Sequence, residues 1–273
     1  MFHYDTALTE FKERLEDRYS RVHFDVQDPA LPATGTSVRR MKFEDVAGSL
    51  LAGSSKELDN ASPPLNLLNL RDFLALPEPQ FLRASRFQLL PTLDARIESA
   101  VTLEDSSAGK RITTRYSDLA SCSRFLLYAS RGAVSGPHVD LLTGTWVQVV
   151  SGRKVWPIFT DLTIEERIEF EEQGNEWIPP REKTRVIVLD PVQDCLMHGG
   201  MFWDEMRILD TMETMSWIIQ HPNVTNETIP NQLPEILFEL ERMMREKPER
   251  FISGGETSEG LLQKFEAAFK DAL

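Results

Sequence analysis

The period of the apolar positions changes along the chain. Over residues 4–18, Leu8, Phe11 and Leu15 recur at spacings of three and four between charged residues, which predicts an amphipathic helix. The stretch 25–64 has little periodicity. Asp28-Pro29, Leu31-Pro32 and Gly53-Ser54-Ser55 interrupt it, and it reads as an irregular surface excursion. Core-like Leu and Phe return over 65–95, and 100–110 reads as an exposed loop. From 112 to 204 short apolar runs take over: Phe125–Tyr128, Trp146–Val150, Val155–Phe159 and Val186–Leu189, separated by Gly, Pro, Ser and Asp. Such runs predict a β-sandwich or barrel rather than alternating βαβ units. One helix interrupts them, opened by the capping box Thr163-Ile164-Glu165-Glu166 and closed at Gly174. Three helical stripes follow: Ile208, Leu209, Met212, Met215 and Ile219; then Leu233 to Met244; then Leu261 to Leu273. Their Met and aromatic residues read as core.

Composition narrows the function classes. The 273 residues carry 30 Lys+Arg against 43 Asp+Glu, a formal charge of −13. That excess argues against nucleic acid and anionic membrane surfaces as partners and leaves a basic peptide or protein open. No run of about 18 apolar residues predicts a membrane span, and the first residues lack the basic start and apolar core of a signal peptide. Two cysteines, Cys122 and Cys195, are too few for a disulfide framework or a four-cysteine zinc site. The expected setting is intracellular, nuclear or cytoplasmic. The sequons at Asn223 and Asn226 carry little weight there. There are five histidines: His3, His23, His138, His198 and His221.

The informative segment is 132–156. It holds His138-Val139-Asp140, an H-x-D. On an extended chain residues i and i+2 project to one face, so an imidazole nitrogen and a carboxylate oxygen can reach the same point. That is two thirds of a two-histidine, one-carboxylate triad for Fe(II). Alone the motif is weak, and a turn in which Asp140 accepts backbone hydrogen bonds is the commoner origin of such a tripeptide. Downstream, Trp146–Val150 reads as a strand, Ser151-Gly152 as its turn and Lys154-Val155-Trp156 as the start of the next strand. A hairpin there returns Lys154 toward His138. A lysine pointing into a barrel needs an anion, and a dicarboxylate supplies one. A solvent-facing or acid-paired Lys154 is the other reading.

The set Phe125-Leu126-Leu127-Tyr128, Ser135-Gly136-Pro137-His138-Val139-Asp140, Gly144-Thr145-Trp146 and Gly152-Arg153-Lys154-Val155-Trp156 resembles a JmjC domain of the cupin superfamily, of the fungal type. The similarity runs over residues 65–230 and takes in Leu65–Leu70, Gly174–Trp177, Val186–Leu189 and Gly199–Asp204. The resemblance implies a mainly β fold, a double-stranded β-helix or jelly roll, flanked by an N-terminal helix and irregular extension (1–64) and by C-terminal helices (231–273). It also implies an Fe(II)- and 2-oxoglutarate-dependent dioxygenase of the protein hydroxylase or histone demethylase type. In that pattern His138 and Asp140 bind the metal, while Lys154 and Ser135 hold the far carboxylate of 2-oxoglutarate. No catalytic side chain is implied beyond the metal site.

The chain departs from the pattern in one place. The family follows the strand matching Val186–Leu189 with an acidic-Pro-Gly-Asp turn, a Met-Pro-Pro-Gly element and the distal metal histidine. Here Asp190-Pro191-Val192-Gln193 leads straight into Asp194–Asp204, which matches the strand after that histidine. The gap near Pro191 reads as a deletion or an exon-boundary error. His198 is the one candidate replacement, and strand register decides whether it points inward. The alternative function is a catalytically inactive JmjC- or cupin-like interaction scaffold.

Overall fold

A computed structural model describes residues 6–19, 23–27, 38–52, 64–97, 118–188, 194–227, 229–252 and 257–269. Its centre is a six-stranded antiparallel sheet in the order β2-β1-β3-β4-β8-β5. The strands are β1 (Phe24–Gln27), β2 (Val38–Met41), β3 (Asn66–Arg71), β4 (Phe125–Ala129), β5 (Thr145–Ser151) and β8 (Cys195–Met201). A second, two-stranded sheet pairs β6 (Val155–Phe159) with β7 (Thr184–Val188). The helices are α1 (Ala7–Tyr19), α2 (Phe43–Ala52), α3 (89–97), α4 (Asp118–Ser123), α5 (Ile164–Gln173), α6 (Ile208–Gln220), α7 (Leu233–Glu246) and α8 (Ser258–Phe269). None of the described helices is long and apolar enough to cross a membrane.

The large sheet has two differently used faces. Residues paired across antiparallel strands share a face, so the register assigns each side chain. Leu67, Leu126, Tyr128 and Leu196 lie on the face that α1 and α2 cover with Phe11, Leu15, Val46 and Leu50. Asp194, just before β8, ties this packing together: it accepts from Lys12 of α1 at 3.1 Å and from the Tyr128 hydroxyl at 2.6 Å. The other face carries Leu68, Phe125, Leu127, Val147, Met197 and Met201. Trp156 of β6 packs on part of it. The helical stripes of α3, α6, α7 and α8 form a separate apolar layer against Phe125, Leu142, Met201 and Trp203.

Most predicted elements are present. The N-terminal helix, the four strand runs, the capping box of α5 and its stop at Gly174 (φ +55°) all form, as do the three C-terminal helices. Two expectations are corrected. The stretch 25–64 is not an irregular excursion throughout, because β1, β2 and α2 come from it and β1 pairs with β3. Its short strands show no alternation long enough to register in the sequence. Secondly, Trp146–Trp156 is not a hairpin: β5 pairs with β8, and β6 pairs with β7. The turn between them passes the chain from one sheet to the other. Gly152 makes that turn possible, with φ +77° and no room for a Cβ, which would meet the Asp194 carbonyl oxygen at 1.9 Å. The departure at 189–193, the 100–110 loop and His3 lie outside the described residues.

Candidate functional site

His138 and Asp140 lie on the loop between β4 and β5. The segment is not a strand, yet the two side chains meet. Backbone bonds fix the loop: Val139 N–H donates to Val224 O at 2.8 Å, and Thr143 N–H to Asp140 O at 2.9 Å. His138 Nδ1 lies 2.8 Å from Gly136 O. A carbonyl only accepts, so Nδ1–H is the donor in that bond and Nε2 is the nitrogen turned toward Asp140. Asp140 is oriented in turn by Thr145 of β5, whose hydroxyl donates to Oδ2 at 2.5 Å. His138 Nε2 and Asp140 Oδ1 are then 3.8 Å apart. Two cis ligands at about 2.1 Å from one ion lie about 3.0 Å apart, so the pair would close by a little under 1 Å to share one.

The pair borders a cavity of about 330 Å³. Leu68, Phe125, Leu127, Val147 and Met201 form its floor from the open face of the large sheet. Trp156 forms a wall, and Asp25 and Arg40 come from β1 and β2. Sequence reasoning missed one more lining residue, Glu227. Its Oε2 accepts from Leu141 N–H at 2.6 Å. Burial, and then the nearby Asp140 charge, push its carboxyl up to about 7, against the opposing pull of the Leu141 hydrogen bond. Asn226, of the second sequon, lines the same cavity. Among the described residues, no three His, Cys, Asp or Glu side chains converge closely enough to hold a metal ion as they stand.

Lys154 lies in the turn between the sheets, beside Cys195 at the far end of the same sheet face. Its Nζ is shielded from solvent and has no hydrogen-bond partner among the described residues. Burial lowers its pKa, only partly offset by Cys195; the Cys195 thiol is itself pushed up to about 11 by burial. Ser135 lies in a polar cluster on that face: its hydroxyl donates to Gln27 Oε1 at 2.7 Å, and Asn66 Nδ2 donates to both. In the register Asn66, Ala129 and Cys195 follow one another across β3, β4 and β8, so Ser135 and Lys154 flank one end of the face. Neither lines the His138–Asp140 cavity.

His198 is not brought to the site. It pairs in register with Leu126 and Gln148, on the face away from Phe125, Leu127 and Val147. It is fully buried there, 3.4 Å from Asp72 and edge-on to Trp146. His221 is near the surface, 3.8 Å from Glu171.

The chain is 30% identical over 258 residues to KK-1 biosynthesis cluster protein D of Curvularia clavata. The match covers 86% of this chain and 25% of that protein, so the chain spans about a quarter of its relative's length. No family model matches the chain.

Proposed function

We propose that this chain is a JmjC-like, double-stranded β-helix domain that performs Fe(II)- and 2-oxoglutarate-dependent oxygenation. The observation that carries this reading is the pairing of two features on one sheet face. One is the His138–Asp140 edge, with its imidazole tautomer set for ligation. The other is the buried ammonium of Lys154, which has no partner among the described residues. An unpaired buried cation is costly, and a carboxylate relieves that cost. The residues present thus offer two metal ligands and a charge for a carboxylate at the far end of the same face. Bound iron and 2-oxoglutarate supply the oxygen activation. His138 and Asp140 would hold the metal, with Thr145 and Gly136 keeping those two in orientation, and Lys154 would pair with the distal carboxylate. Trp156, Leu127 and Val147 give the cavity apolar walls. Ser135 supports the same end of the face through Gln27 and Asn66.

The relative's name ties that protein to a biosynthesis cluster, which favours oxidation of a biosynthetic intermediate over a histone tail as this chain's task. The acidic lining from Asp25 and Glu227 suits a substrate with a basic group, whether a small molecule or a basic peptide. The inactive-scaffold reading is favoured by one observation, the lack of a third converged ligand among the described residues. An anaerobic titration with Fe(II) and 2-oxoglutarate separates the two. The oxygenase reading expects a visible charge-transfer band in the native protein, lost in His138→Ala and needing at least tenfold more 2-oxoglutarate in Lys154→Ala. No band in the native protein, or an equal band in His138→Ala, leaves the scaffold.

A further inference from the structure

We propose that a carboxylate and a proton bind cooperatively at Lys154, so that this end of the sheet face holds its anion as an ammonium–carboxylate pair and releases it as the lysine deprotonates. The inference rests on the oxygenase reading and adds what controls binding of the co-substrate's tail. Lys154 sits between the two sheets. Gly152 has no room for a Cβ against the Asp194 carbonyl, so the turn lies close on the start of β8 and carries Lys154 with it. Nζ ends shielded from solvent and without a hydrogen-bond partner among the described residues. A charged amine there lacks both water and an acceptor, and a carboxylate brought beside a neutral amine lacks a counter-charge. The proton and the anion each stabilise the other at this position, which is positive and reciprocal coupling.

Among the described residues, the groups packed around Lys154 bring it no carboxylate. Cys195, from β8, is the titratable neighbour; its thiol, pushed up to about 11 by burial, stays uncharged through the neutral and mildly alkaline range. Asp194 is held on the opposite face by Lys12 and Tyr128. The row Gln27, Asn66, Ala129 and Cys195 crosses β1, β3, β4 and β8 toward the turn, and its polar side chains are neutral amides joined by the Ser135 hydroxyl. From β7 the neighbouring pair is apolar, Val188 against Val155. Arg153, next in the chain, is exposed. In this setting burial lowers the Lys154 pKa, and Cys195 offsets only part of that. A carboxylate at Nζ raises it again. A base that holds its proton more tightly in the bound state takes up protons on binding at any pH between its two pKa values. Affinity for the anion is therefore full below the lower value and falls as pH rises through it.

The test is anaerobic calorimetric titration of the protein with 2-oxoglutarate in excess Mn(II), from about pH 7.5 to about pH 9, below the ordinary lysine value of about 10.4. Buffers of different ionisation enthalpy count the protons taken up. Both carboxyls of the ligand are ionised throughout, and the range lies above the Glu227 value of about 7. The expected result is net proton uptake that grows with pH toward one per bound ligand, with affinity at least fivefold weaker at the alkaline end. In Lys154→Arg, whose guanidinium stays charged, uptake should vanish and affinity should vary less than twofold. Binding of 2-oxoglutarate to the native protein without proton uptake overturns the coupling and leaves the oxygenase reading standing, as does uptake that persists in Lys154→Arg. If Lys154→Arg does not bind, the lysine Cε resonance that disappears in Lys154→Met decides: a titration midpoint raised by 2-oxoglutarate supports the coupling, and an unmoved one overturns it. Absence of 2-oxoglutarate binding in the native protein overturns both.

Discussion

At the scale of single residues, the site divides into what a motif can announce and what only the fold can assemble. His138 and Asp140 are two positions apart, and chemistry at that spacing is visible in the sequence. Glu227 is not: it is one acid among 43 and joins the site only because Val139 and Leu141 bond to the 224–227 segment. Lys154 is legible as an unusual lysine, but the predicted hairpin misplaced it. Its observed position makes a prediction of unusual sign. Removing a buried ammonium that has no hydrogen-bond partner among the described residues relieves a desolvation cost, so Lys154→Met should stabilise the metal-free protein by about 1–3 kcal/mol. Urea unfolding would measure it. A lower midpoint for Lys154→Met would show that the ammonium has a stabilising partner and would remove its anion-holding role.

At the scale of elements, strands and helices were legible where their period was long enough to see, and their pairing was not. The α5 capping box reads directly from Thr163 and Glu166, and both of its hydrogen bonds are present. Thr163→Ala should cost about 1 kcal/mol, measurable as a lower midpoint in thermal or urea unfolding. Sheet partners were different: β5 and β6 are neighbours in sequence, and the turn at Gly152 separates them because β8 offers β5 a seven-residue edge. One element sensitive to acid is α1, through its tie at Asp194. Burial raises the Asp194 carboxyl, but the hydrogen bonds from Tyr128 and Lys12 outweigh it, and the net shift is downward. A carboxyl depressed in the folded state contributes stability that is complete above its unfolded value of about 3.9 and is lost as pH falls through the folded one. Urea midpoints should therefore decline below about pH 4. Asp194→Asn should be less stable at neutral pH and show a shallower decline; an unchanged slope would place the acid sensitivity elsewhere.

At the scale of the whole molecule, the large sheet separates two histidines that the sequence could not tell apart. A one-residue register shift would have put His198 on the cavity side, and no periodicity in Cys195–Met201 chooses between the faces, because all seven residues are buried. The choice is visible only in the pairing with Leu126 and Gln148. His198 is enclosed by Trp146 and Asp72. Burial raises Asp72, but the neighbouring His198, with the Leu74 and Ala75 N–H groups, more than offsets this and lowers it. The His138 side chain is 29% exposed and its ring is held by the Gly136 carbonyl. The two histidines should therefore dissociate in opposite senses. His198→Ala removes one partner of a buried pair and leaves a void, which should cost about 3–5 kcal/mol, while Mn(II) affinity stays within about twofold of native. His138→Ala should cost only about 1 kcal/mol, for its hydrogen bond to Gly136, and weaken Mn(II) binding at least tenfold. Paired urea unfolding and Mn(II) calorimetry on the two variants test this directly. Loss of metal affinity in His198→Ala at a temperature where it remains folded would mean that the two faces are coupled through the sheet, and that the register does not isolate the site.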